Sequence, residues 1–202
     1  MSLASEHVLK RPRSVFVNLE VQMFRLRMST AVLLCLAGPL AGCGSDTGTA
    51  DDPQAPPVTG RQAVEAWLAK GYYKTWKCEP AGHAQRSPSP HGNNRICSNT
   101  RLSTHTTGEY PVDSAAVKEL LDAQNALIGY AVYRKVSAGT GDSFYYYERV
   151  PLDSPAPHDA NGVVADGRGS AGPAKTICVG CHAGAGSDAM HSGHDFVYTQ
   201  VR

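Results

Sequence analysis

The chain has 202 residues, and its 19 Lys/Arg against 18 Asp/Glu leave a formal net charge of only +1, which excludes binding to nucleic acid through a basic surface. With 42% of residues hydrophobic it has enough apolar side chain for a core, so a disordered chain is excluded, and the length suits one domain.

The N-terminal part lies outside that domain. Arg25 and Arg27 precede the apolar run Ala31–Ala37, and Leu40-Ala41-Gly42-Cys43 follows. A basic flank, a short apolar run and small residues before a cleavage point describe a secretory leader. The run is about ten residues, short of the ~20 that span a bilayer as a helix. Leu-Ala-Gly-Cys is similar to the bacterial lipobox, in which the cysteine takes lipid and becomes the mature N-terminus; an ordinary signal peptide is the alternative. Residues 1–42 are read as leader, with Met23 or Met28 as alternative starts, and residues 43–60 as a polar tether that holds a head, residues 61–202, off a membrane surface. Without the leader the chain carries 14 basic and 16 acidic side chains, and no basic patch remains.

In the head, Arg61–Lys70 reads as an amphipathic helix with Val64, Trp67 and Leu68 on one face and Gly71 as its stop. Tyr72–Cys78 is aromatic and packs that helix onto the body. Glu79–Asn94 is a Pro/Ser/Gly/Asn loop carrying His83, read as solvated, and His91, a candidate to line a pocket. Asn94–Asn99 starts a strand. Ser114–Leu121 reads as a strand with Val117, Glu119 and Leu121 on one face and Ala116, Lys118 and Leu120 on the other, although its Ala, Glu, Lys and Leu also suit a helix. Leu127–Val136 and Phe144–Val150 complete an antiparallel meander around the turn Ser137–Ser143. Pro151–Pro173 shows no period and reads as a long loop, of the length associated with functional lids or disordered segments. Asp159-Ala160-Asn161-Gly162 lacks the glutamate that would complete a calcium loop. A helix over Ala174–His182 and a last strand at Asp195–Thr199 close the chain.

The chemistry concentrates in Cys178-Val179-Gly180-Cys181-His182. Two cysteines two residues apart and a following histidine match covalent c-type haem attachment. Each thiol adds across one porphyrin vinyl group, and the adjacent imidazole is aimed at the iron as proximal ligand. Zinc knuckles and thioredoxin-like sites share Cys-x-x-Cys, but a zinc site needs two further ligands and a thioredoxin motif lies early in a βαβ pattern. The expected cofactor is therefore one covalent haem c. Cys35 leaves with the leader and Cys43 takes lipid, so Cys78 and Cys97 remain, read as a disulfide in an exported chain, with metal binding or a free redox pair as the competing view.

The order of these elements, with Val117-Lys118-Glu119-Leu120, the aromatic hairpin, the late Cys-x-x-Cys-His and the closing Asp195-Phe196-Val197-Tyr198-Thr199, resembles the cytochrome P-460 family and its relative cytochrome c′-beta over about residues 89–199. The resemblance implies an α+β domain: an antiparallel sheet, flanking helices and a C-terminal haem-binding helix, often as a homodimer. It implies an open distal iron position and the oxidation of hydroxylamine, or the binding of nitric oxide or another small nitrogen-oxide ligand. It sets Lys118 at the lysine that cross-links to the porphyrin, an amine whose pKa an apolar neighbourhood of Ala116 and Leu120 would lower. Arg95 falls near the distal-pocket arginine. The family's proton-accepting glutamate aligns with Ala131, so a catalytic carboxylate is expected to be missing.

Two functions follow for an exported haem protein that faces the periplasm or cell surface. One is a five-coordinate haem with His182 proximal, and Arg95 and His91 over the open site. The other is a six-coordinate electron carrier serving a redox partner protein, with a second ligand drawn from His91, His105, His158, Met190, His191 or His194.

Overall fold

A computed structural model describes residues 54–202. The leader and Cys43 lie outside the described residues. Six strands form one antiparallel sheet in sequential order: β1 Lys77–Cys78, β2 Asn93–Ser98, β3 Ala115–Leu121, β4 Leu127–Lys135, β5 Phe144–Arg149 and β6 Val163–Arg168. With the short helices α1 Arg61–Lys70 and α2 Thr100–Thr104, the fold is α+β. No described helix is long and apolar enough to cross a membrane.

Period-2 alternation gives the sheet two apolar faces, so it must be covered on both. On one face Cys97, Val117, Val132, Tyr145 and Tyr147 pack against Val64, Trp67 and Leu68 of α1 and against Tyr73 from the 3₁₀ turn that follows it. Burying each of the three helix side chains contributes roughly 1.5–3 kcal/mol. The helix stops at Gly71, whose left-handed φ of 68° lets its N–H return to the Leu68 carbonyl. The second face carries Ile96, Ala116, Phe144, Tyr146 and Ala165, and it is covered by Ala174, Cys178 and Val197.

The strand reading of Ser114–Leu121 holds over Ala115–Leu121, which rules out the helix alternative there. Two expectations are corrected. The region Pro151–Pro173 contains β6, an edge strand that pairs with β5 alone and carries Asp166 and Gly167 where apolar alternation would continue, so its periodicity is weak. Asp195–Thr199 is not a strand. Asp195 and Phe196 have φ of 43° and 63°, a left-handed turn closed by paired backbone bonds between His194 and Val197.

Cys78 and Cys97 are register partners on β1 and β2 and are joined by a disulfide across a sequence separation of 19. This cross-link stabilises chiefly by restricting the unfolded chain, so Cys97→Ala with Cys78→Ala is expected to cost about 3 kcal/mol. Denaturant unfolding of the double variant measures that loss. Non-reducing peptide mapping of the parent should recover the two peptides joined.

Candidate functional site

The second face of the sheet, where the C-terminal segment leaves it uncovered, bounds a cavity of about 440 Å³, within the ordinary range for small-molecule sites. Its floor is one cross-strand row. Ile96 pairs with Lys118, Lys118 with Ala131, and Ala131 with Glu148. Side chains in such a row share a face, and Lys118 and Glu148 stand two strand spacings apart, about 10 Å between backbones. Ala131 between them is small and leaves the space open. The loop from Arg86 to Gly92 forms another wall, and Cys178, Cys181 and His182 form a third.

The chain reaches that third wall through a π-helical turn, Ala174–Val179, followed by one α-helical turn, Gly180–His182, here α3. The turn seats closely because the sheet side is stripped to glycine. A Cβ on Gly141 would come within 2.5 Å of Phe196 and 2.7 Å of Val179, and one on Gly169 within 2.5 Å of Val179. Cys178 is buried, Cys181 is partly buried, and both thiols are free. Burial, reinforced by the nearby Glu148 and Cys181, pushes the Cys178 thiol up to about 12. His182 is held from behind: its Nδ1 lies 2.6 Å from the Phe196 carbonyl oxygen. A carbonyl can only accept, so Nδ1 carries the proton and Nε2 keeps its lone pair. Burial brings the imidazole pKa down to about 4, partly opposed by that carbonyl, so the ring is neutral as a metal ligand must be. Tyr198 ties the same turn down by donating to the Cys181 carbonyl at 2.8 Å.

Lys118 Nζ donates to Ser89 Oγ at 3.4 Å. Burial lowers its pKa to about 8 against the opposing pull of Glu148 and Glu79. His91 Nδ1 stands 3.0 Å from Glu148 Oε1, with both side chains largely shielded at 13% and 12% exposure. Lys118, His91, Glu148 and His182 all line this one cavity.

Two expected features are placed differently. Arg95 does not line this cavity. One residue from Ile96 on β2, it points to the other face, where Nη1 pairs with Glu119 at 3.3 Å and Nε donates to the Glu79 carbonyl. Arg86 lines the cavity instead and pairs with Glu79 at 2.6 Å. The missing carboxylate is likewise corrected: Ala131 is an alanine, but Glu148 on the neighbouring strand enters the same space. Alternation from Phe144 through Tyr146 to Glu148 was the signal that could have found it. His83, read as solvated, bridges Glu79 Oε2 at 3.0 Å and the Ala84 carbonyl. Of the candidate second ligands, His91 alone lines the cavity. Met190 is 68% exposed, His191 bonds Asp188, His158 bonds the Ala156 carbonyl, and His105 and His194 flank Tyr110.

The residues fit a covalent haem on three counts. The donor set is two unpaired thiols and a neutral imidazole on one wall of the cavity. That cavity is otherwise mainly apolar, lined by Ala116, Leu120, Val150 and Val164 among others. The buried hydroxyls of Tyr133 and Tyr146 and the side-chain oxygen of Asn94, all on residues lining it, have no protein partner. Buried polar atoms are nearly always satisfied, so these three unpartnered atoms on cavity-lining residues are consistent with a bound group. A zinc set is not assembled, because among the described residues no three His, Cys, Asp or Glu converge as metal ligands.

No family model, curated protein or solved structure matches the chain.

Proposed function

We propose that the chain is an exported, lipid-anchored monohaem c-type cytochrome whose iron keeps an open position for a small nitrogen-oxide ligand of the hydroxylamine or nitric oxide type. The observation that carries this reading is the placement of Cys178, Cys181 and His182 on one wall of a cavity that also receives Lys118, His91 and Glu148. The two thiols and Nε2 of His182 would hold the group, which supplies a redox-active iron able to bind small ligands. The α3 turn and the π-turn before it are then the haem-binding helix.

The chain's own residues handle protons and charge. Glu148 accepts a proton from an N–H or O–H of the bound ligand, and His91 holds that carboxylate in place and shares the proton. The Lys118 amine, which reaches from the floor to Ser89 on the loop wall, offers a donor to the ligand. A carboxylate so placed makes turnover, and not binding alone, accessible to this site. Pro151, Ser154, Pro155 and Ala156 border the cavity and limit the entry of water, the lid role read for that loop. The Cys78–Cys97 disulfide supports an oxidising compartment, and the polar stretch behind Cys43 supports a tethered head with a redox partner protein at the membrane. A homodimer belongs to this reading through the family resemblance.

A second reading, a six-coordinate electron carrier, draws on His91, whose Nε2 remains available when Nδ1 faces Glu148. Both readings require covalent attachment. Acid–acetone extraction of the exported protein tests it: the colour is expected to stay with the polypeptide, and colourless precipitated protein removes the proposal.

A further inference from the structure

Lys135 is the most deeply buried cation of the described chain, at 0% exposure, and it lies outside the cavity lining. Its Nζ donates to Asp195 Oδ2 at 3.0 Å and to the Gly139 carbonyl at 2.8 Å, pairs with Glu109 at 3.0 Å, and lies 4.7 Å from the centre of the Phe144 ring. Asp195 Oδ2 also accepts the Tyr110 backbone N–H at 2.7 Å. A buried charge pair is a poor source of net stability, so its presence calls for another explanation. Asp195 opens the left-handed turn in which Phe196 itself has φ 63°, a conformation that a bulky residue adopts only when its surroundings impose it. The carbonyl presented by that turn is the one that accepts the His182 Nδ1–H at 2.6 Å.

We infer that Lys135 and Asp195 are positioning residues for His182: their buried pair holds the Asp195–Phe196 turn so that the Phe196 carbonyl fixes the tautomer and donor strength of the imidazole toward the iron. The inference rests on the haem reading given above. The acceptor behind a ligating histidine orients the ring and raises its basicity. A stronger Nδ1–H bond makes the imidazole a better donor and favours ferric iron, so loosening the turn raises the reduction potential.

The test is the reduction potential of the haem-loaded protein in Asp195→Asn and Lys135→Met. Asparagine keeps an acceptor for Tyr110 and tolerates a left-handed φ; methionine keeps most of the lysine's volume. Charge acting through space alone predicts opposite signs, upward when the carboxylate is lost and downward when the ammonium is lost. Positioning predicts an upward shift in both, with faster solvent exchange of the His182 Nδ1–H. If Lys135→Met alone does not fold, the sign test passes to Lys135→Met with Asp195→Asn, which leaves the net charge of the pair unchanged: a rise supports the inference, and an unmoved potential overturns it. Opposite shifts in the single variants also overturn it while leaving the haem reading intact. Parent protein without covalent haem removes both.

Discussion

Replacing both Cys178 and Cys181 with alanine is expected to abolish covalent haem completely, while the sheet and the Cys78–Cys97 disulfide still form. The two thiols sit on the π-turn and the α3 turn that form one wall of the cavity, and they are free. The disulfide lies on β1 and β2, at the far edge of the sheet from β6. Haem staining after denaturing electrophoresis should therefore fall from full to none. The thermal midpoint should fall as well, because a group bound only by the folded state stabilises it by mass action. Retained covalent haem in this variant would place the attachment elsewhere.

Glu148→Gln is expected to lower turnover of a proton-releasing ligand such as hydroxylamine by about 10²–10⁴-fold, the usual contribution of a positioned general base. The exchange is nearly isosteric, and the amide oxygen can still accept from His91, so the shape of the cavity survives. Binding of carbon monoxide, which has no proton to give, should be unchanged. That contrast separates a proton-accepting role from a packing role: a carboxylate needed only to support the cavity would weaken both. If the parent turns over such a ligand and the variant does so at the same rate, Glu148 is not the base.

The helix α1 was legible in sequence because Val64, Trp67 and Leu68 mark one helical stripe and Gly71 ends it. Alternation likewise placed Lys118 with Ala116 and Leu120, and the structure has all three lining the cavity. What sequence could not supply was register. Glu148 comes opposite Ala131 only through the pairing of β4 with β5, so one aligned position read as an absence when the carboxylate arrives from the next strand. Arg95 was misplaced by a single step of the same alternation, which turns it toward Glu119 on the opposite face. The Asp195–Thr199 segment has β-forming residues, yet tertiary contacts override that propensity. Its Phe196 carbonyl is held by His182 and its Asp195 by Lys135, bonds between residues far apart in the chain.

The proposed haem on His182 would keep an open position facing Glu148 and His91. The visible spectrum of the reduced protein with and without carbon monoxide tests it most directly. A c-type spectrum that changes promptly on addition of the gas is expected, as a vacant iron position requires. A sharp six-coordinate spectrum indifferent to carbon monoxide, or no haem spectrum at all, would contradict it.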